Sequence, residues 1–299
     1  MAGMRRVTTR DHIGKGDTPV KALVGKLATE HVRDRPIFVV GTGRSGTTAM
    51  LNALGRHPNV RSAGGHAPFV ALVGGFAYAA APRHPNWDTV RASSSAIQAT
   101  LADLAFRTVF GDNYGINWVY KELRESGLLA LRKTRWAARP YPTKDQYLGL
   151  CSLFPPLKFV YMIRNGLDVV HSRSRYAAFR ASEFEEQCRV WAEHAQRYAY
   201  LLDAPNSVTV RQEDMSDRPQ DVMACVLDFV GLRADGRPAA YLSTTLVHPL
   251  DSPTQSGMDV RREFGSRQEG HEAWTQEQKR VFKSLCGSGM DMLGYDVPF

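Results

Sequence analysis

The chain has 299 residues, of which 43% are hydrophobic and 23% charged. That mixture excludes a disordered chain, and the length excludes a small scaffold that needs disulfides or zinc for stability. A formal charge of +8, from 38 Lys and Arg against 30 Asp and Glu, favours an anionic partner (nucleic acid, anionic lipid or a phosphorylated small molecule) without choosing among them.

Residues 1–34 are polar and charged and read as an N-terminal arm; residues 35–299 read as one domain. The basic start, MAGMRRVTTR, is followed by no apolar stretch of signal-peptide type. The most apolar run, Ala67–Ala81, is too short to span a bilayer. A cytoplasmic protein with no transmembrane segment is expected. The four cysteines, Cys151, Cys188, Cys225 and Cys286, form no CxxC pair, so they read as reduced thiols, and no metal site is expected.

Four short apolar runs read as buried strands: Ile37–Val40, Ile116–Tyr120, Phe159–Ile163 and Val208–Val210. Helical patterns lie between them. One begins near Gly46 and ends before Pro58, and another follows Gly166. A longer one follows Ser182, with Glu185 completing an S-x-x-E capping box and Phe184, Cys188, Trp191, Ala195 and Tyr198 on its apolar side. A helix from about Gln220 to Val230 stops at Gly231, and a last one begins after Thr275, with Gln278 completing a second box. Helical insertions are expected at about 67–115 and 123–156. The basic stretch Leu128–Lys144 reads as a solvated helix, a mobile cover or a wall of the acceptor site. Strands alternating with helices give an α/β fold: a central parallel sheet flanked by helices.

Ligands of such sheets bind at the carboxyl ends of the strands. Lys121 and Glu122 follow the second predicted strand, Arg164 the third, and Arg211, Gln212, Glu213 and Asp214 the fourth. After the first comes Gly41-Thr42-Gly43-Arg44-Ser45-Gly46-Thr47-Thr48. A strand, a glycine-rich loop and a helix in that order hold an anion, because free backbone N–H groups and the helix dipole converge there. Ser45, Thr47 and Thr48 add hydroxyl donors.

The loop differs from the triphosphate pattern G-x-x-x-x-G-K-[ST]. Thr47 stands where the lysine belongs, and the cation has moved to Arg44. No predicted strand ends in an acid suited to Mg²⁺. Charge on a transferred group is therefore met by protein cations.

The loop resembles the 5′-phosphosulfate loop of sulfotransferases that use 3′-phosphoadenosine 5′-phosphosulfate (PAPS). The run LFPPLKFVYMIRNGLDVVHSRSR is similar to that family's second motif, an Arg after a strand and a Ser eight residues on, here Arg164 and Ser172. It lies closest to the branch of tyrosylprotein sulfotransferases and bacterial relatives. HPNVR, YKE, VRQEDM and LGYD are looser similarities. The resemblance implies a P-loop-like three-layer fold. It implies that Gly43, Arg44, Ser45, Gly46, Thr47 and Thr48 wrap the phosphosulfate and that Arg164 and Ser172 hold the 3′-phosphate. Arg267, in a basic C-terminal loop, is a further contact. The product of PAPS is adenosine 3′,5′-bisphosphate.

Sulfuryl transfer is an in-line displacement that needs a cation at the leaving oxygen and a base for the acceptor. The resemblance points to Lys121 as the cation, beside Arg44. It points to His66 as the base, with Glu122 in reserve. The acceptor is a hydroxyl or amine of a small molecule, lipid or glycan. Two other readings stay open: a P-loop nucleotide kinase or triphosphatase, which would need a loop lysine and a metal acid, and a nucleic-acid-binding module, against which the clustering of cations at strand tips argues. Oligomeric state is not legible.

Overall fold

The first strand, β1 (Pro36–Gly41), is buried along its whole length. Its side chains alternate between two faces: Phe38 and Val40 enter one core, Ile37 and Val39 another. A strand buried on both sides belongs at the centre of a covered parallel sheet. The computed structural model describes residues 33–79, 91–110, 134–175, 182–244, 246–247, 259–260 and 270–299, and it bears this out.

From β1 the chain runs through α1 (Thr47–Arg56), β2 (Val60–His66), α2 (Pro68–Ala79) and α3 (Arg91–Phe110). Then come β3 (Arg135–Arg139), α4 (Lys144–Leu153), β4 (Lys158–Ile163), α5 (Gly166–Arg175) and α6 (Phe184–Arg197). After β5 (Ser207–Arg211) follow α7 (Gln212–Asp217), α8 (Pro219–Phe229), α9 (Gly236–Thr244), the short strands β6 (Leu246–Val247) and β7 (Asp259–Val260), and α10 (Gln276–Met292).

The main sheet has the order β2-β3-β1-β4-β5, and every pairing in it is parallel. The chain fills the β3 side of β1 first and crosses to the β4 side afterwards. The carboxyl end of β1 is thus a switch point, where an open α/β sheet leaves a crevice. Helices α2, α3, α4, α5, α6 and α10 cover one face; α1, α8 and α9 cover the other.

Several expectations are revised. Residues 135–139 were expected to be helical, inside the insertion at 123–156; they form β3, hydrogen-bonded to both β1 and β2. Trp136 and Ala138 join the first core and Ala137 the second, so strand alternation overrides the low strand preference of alanine. Strand β2 was not foreseen. Ser182 does not cap α6: the N-cap is Glu183, without a side-chain cap, and the Ser182 carbonyl accepts from Gln187 Nε2 at 3.1 Å. The box at Thr275 and Gln278 is present, and Gly231, with φ 68°, ends α8 as expected. The predicted strand Ile116–Tyr120 and the N-terminal arm up to residue 32 lie outside the described residues.

Helices α2 and α4 meet backbone to backbone. A Cβ on Gly149 would stand 1.8 Å from the Gly74 carbonyl oxygen, and one on Gly74 would stand 2.5 Å from that of Gln146. Among the described residues, no helix is long and apolar enough to cross a membrane.

Candidate functional site

The site grows from the turn after β1. Gly41 has φ 151°, and a Cβ there would lie 2.3 Å from the Met162 carbonyl oxygen, so only glycine lets β1 pass β4 at this point. Gly46, at φ 83°, is the N-cap of α1. No acidic residue occupies the first turn of α1, and Gly46 offers no side-chain cap. The helix N-terminus therefore keeps its positive end for a ligand anion. Thr42, Ser45 and Thr47 are buried, and the Thr42 and Ser45 hydroxyls share a short hydrogen bond that braces the loop from inside.

Arg44 has φ 74°, a left-handed conformation that costs a non-glycine residue about 1–2 kcal/mol. The surroundings hold it there. Its Nε donates to Ser172 Oγ at 3.1 Å, and its carbonyl oxygen accepts from Arg164 Nη1 at 3.1 Å. Two motifs more than a hundred residues apart in sequence thus meet at one residue. Arg164, at the tip of β4, also faces Asp168 Oδ2 at 3.8 Å on the first turn of α5.

The tip of β3 adds a cation that the sequence reading missed. Arg139 is 6% exposed, and its Nη1 donates to Thr48 Oγ at the start of α1. Burial pushes its pKa down, so the folded chain holds this charge at a cost that an anion can offset. The register of β2 on β3 sets His66 opposite Arg139, and the Ala67 N–H donates to the Arg139 carbonyl at 3.0 Å. The His66 ring is exposed and lies 5.2 Å from that of Tyr141. Its pKa is lowered, first by desolvation and then by the Arg139 charge. The imidazole is therefore neutral near neutral pH and free to accept a proton.

Glu213, one of the residues that follow β5, gains a role that its run in the sequence does not reveal. One of its oxygens accepts from the Asn165 N–H at 2.9 Å, beside Arg164; the other accepts from the Tyr295 hydroxyl at 3.0 Å. It anchors the β4 tip.

Among known families, the sulfotransferase family model matches residues 36–236, from the first residue of β1 to the start of α9. The chain belongs to the sulfotransferase family. The sulfotransferase domain of the Synechococcus PCC 7002 olefin synthase is 16% identical, covers 90% of this chain and 98% of its own, and superposes with a TM-score of 0.51, a likeness of fold. The sulfotransferase domain of the curacin biosynthetic pathway is 17% identical over 88% of this chain and 98% of its own, with a TM-score of 0.47. Mouse sulfotransferase SULT7A1, complexed with PAP, is 13% identical over 92% of each chain, with a TM-score of 0.48. No protein of curated function matches this chain in sequence.

In this sulfotransferase, then, the loop after β1, Arg164 and Ser172 meet at Arg44, and His66 pairs with Arg139 across β2 and β3. Lys121, Glu122 and Arg267 lie outside the described residues. The cation found on the strand beside β1 is Arg139. Its signal in the sequence is the run RWAARPYP, in which an arginine follows three strand-face residues and precedes a proline that ends the pairing.

Proposed function

We propose that this sulfotransferase moves a sulfuryl group from PAPS to a hydroxyl or amine of a small-molecule, lipid or glycan acceptor. The observation that carries the reading is the meeting of the glycine loop with Arg164 and Ser172 through the backbone and side chain of Arg44. On this reading the helix N-terminus and the arginine–serine pair are two anion sites for one ligand. Gly43, Arg44, Ser45, Gly46, Thr47 and Thr48 hold the phosphosulfate, and Arg164 and Ser172 hold the 3′-phosphate. The family resemblance assigns Arg267, which lies outside the described residues, to the same phosphate.

The acceptor oxygen or nitrogen attacks sulfur in line. A bond from it to sulfur forms as the bond from sulfur to the bridging oxygen breaks, and the electron pair stays on the 5′-phosphate oxygen. Arg139 and the N–H groups of α1 stabilise that developing charge. His66 takes the acceptor proton on its free ring nitrogen. Lys121, the cation that the family resemblance points to, lies outside the described residues, and Arg139 is a cation at a described strand tip beside the loop.

The kinase reading is not favoured, because Thr47 replaces the loop lysine and Arg139 occupies the strand tip beside the loop. The test is calorimetry with adenosine 3′,5′-bisphosphate. The wild type binds it without added Mg²⁺, and Arg164→Ala weakens it about tenfold to a hundredfold, the loss of one charged hydrogen-bonding group. Mg²⁺-dependent ATP turnover without bisphosphate binding would revive the kinase.

A further inference from the structure

The peptide bond between Arg164 and Asn165 turns β4 into α5, and the two residues proposed for the 3′-phosphate, Arg164 and Ser172, both depend on how it lies. The peptide group is planar, so holding the Asn165 N–H also holds the Cα of Arg164. That N–H donates to Glu213 Oε1 at 2.9 Å. Asn165 also caps α5: its Oδ1 accepts from the Leu167 N–H at 2.9 Å, and its carbonyl accepts from the Val169 N–H at 3.0 Å. The start of α5, the helix that carries Ser172, is therefore set by the same residue.

The other oxygen of Glu213 leads to the end of α10. Gly294, at φ 69°, donates its N–H to the Asp291 carbonyl at 3.0 Å, and the Tyr295 N–H donates to the Met290 carbonyl at 2.9 Å. This pair of bonds is a Schellman turn, which ends a helix in one defined direction. Arg211, the last residue of β5, clasps the turn from outside. Its Nη2 donates to the Leu293 and Gly294 carbonyls at 3.0 and 3.1 Å, and its guanidinium lies 4.4 Å from the centre of the Tyr295 ring. The Tyr295 hydroxyl is thereby delivered to Glu213 Oε2 at 3.0 Å. Burial, and then the Glu213 charge, raises the pKa of that phenol, so it keeps its proton and stays a donor.

One carboxylate thus binds the β4–α5 turn to the end of α10, and hydrogen bonds to an ionised acceptor are stronger than neutral ones. A link needed only to hold α10 in place would not have to end at this turn. Phe282, Cys286 and Met290 already bury that helix in the core, and the Gly166 N–H donates to Met290 Sδ at 3.3 Å. Glu213 instead places its charge on the one backbone N–H next to Arg164.

We propose that Glu213 and Tyr295 are positioning residues that hold the β4–α5 turn in the arrangement that grips the 3′-phosphate, so that preference for a 3′-phosphorylated donor rests on them. The proposal depends on the PAPS reading above. The experiment compares wild type, Glu213→Ala, Glu213→Gln and Tyr295→Phe by calorimetry with adenosine 3′,5′-bisphosphate, by its displacement with adenosine 5′-monophosphate, which lacks the 3′-phosphate, and by thermal melting. Glu213→Ala is expected to raise the Kd for the bisphosphate about tenfold and to leave that for the monophosphate within about twofold. Tyr295→Phe keeps the ring beneath Arg211 and is expected to raise the bisphosphate Kd about threefold or more. Glu213→Gln is expected to recover most of the loss, because its amide oxygen can take the Asn165 N–H and its amide N–H can reach the Tyr295 oxygen.

If the pair only ties the tail to the sheet, the variants will lower the melting midpoint and leave the ratio of the two Kd values as in the wild type. That result overturns the proposal, even where both constants rise together. Should Glu213→Ala not fold, Tyr295→Phe decides: a folded variant whose ratio shifts about threefold or more supports the proposal, and one whose ratio is unchanged overturns it. A wild type that binds neither nucleotide, or an Arg164→Ala variant that binds the bisphosphate as the wild type does, refutes the PAPS reading itself, a result separable from failure of Glu213 and Tyr295.

Discussion

Replacing Arg139 with methionine separates catalysis from stability in this fold. The guanidinium is 6% exposed and hydrogen-bonded to Thr48 at the start of α1. Water has little access to take its place at the leaving oxygen. Loss of one preorganised donor at a developing oxyanion costs about 10²–10³ in kcat, or about 2.7–4 kcal/mol. Stability should respond differently. The charged hydrogen bond to Thr48 contributes about 1.5–3 kcal/mol, but the variant also escapes the cost of burying the charge, and methionine fills much of the volume. The two effects oppose each other, so the melting midpoint should move by only a few degrees. The assay is release of adenosine 3′,5′-bisphosphate from saturating PAPS with a panel of phenols and alcohols, run beside a thermal melt. A fall in kcat of less than tenfold in a folded variant would refute the assignment, as would a fall that merely follows lost stability.

Three further outcomes follow from the same structure. Because desolvation and the Arg139 charge hold the His66 pKa below its ordinary value, activity should persist through pH 6.5 and fall as the pH drops below the lowered pKa; in Arg139→Gln, the His66 resonance followed by NMR should titrate at higher pH than in the wild type. His66→Ala should lose about 10²–10⁴ in kcat at unchanged affinity for the bisphosphate, measured by turnover and calorimetry. Gly149→Ala should destabilise the fold by about 3 kcal/mol, despite the better helix propensity of alanine, because the new methyl collides with the Gly74 carbonyl; a melting midpoint lowered by about 6–12 °C would bear this out, and an unchanged one would not.

The sheet was legible where strands are buried on both faces and rich in β-branched or aromatic residues, as in β1 and β4. It was not legible at β3, whose RWAAR carries an arginine at each end and two alanines, nor at β2, whose VRSAGGH has one β-branched residue and two glycines. Those strands owe their conformation to their partners in the sheet rather than to local preference. The same blind spot hid Arg139, because a strand tip cannot be found before its strand. The glycine loop and Arg164 were legible because both sit on well-marked strands. Glu213 stood in a run the sequence reading had noticed, but its grip on Asn165 is tertiary and leaves no local pattern.

The carboxylate of Glu213 joins the turn that carries Arg164 to Tyr295, three residues beyond the end of α10. Trimming or re-engineering the tail of this enzyme therefore has a hidden reach. A purification handle that unseats Tyr295 would slacken the turn beneath an arginine on the far side of the sequence, so kinetics gathered on such a version would describe a loosened donor pocket rather than the native one.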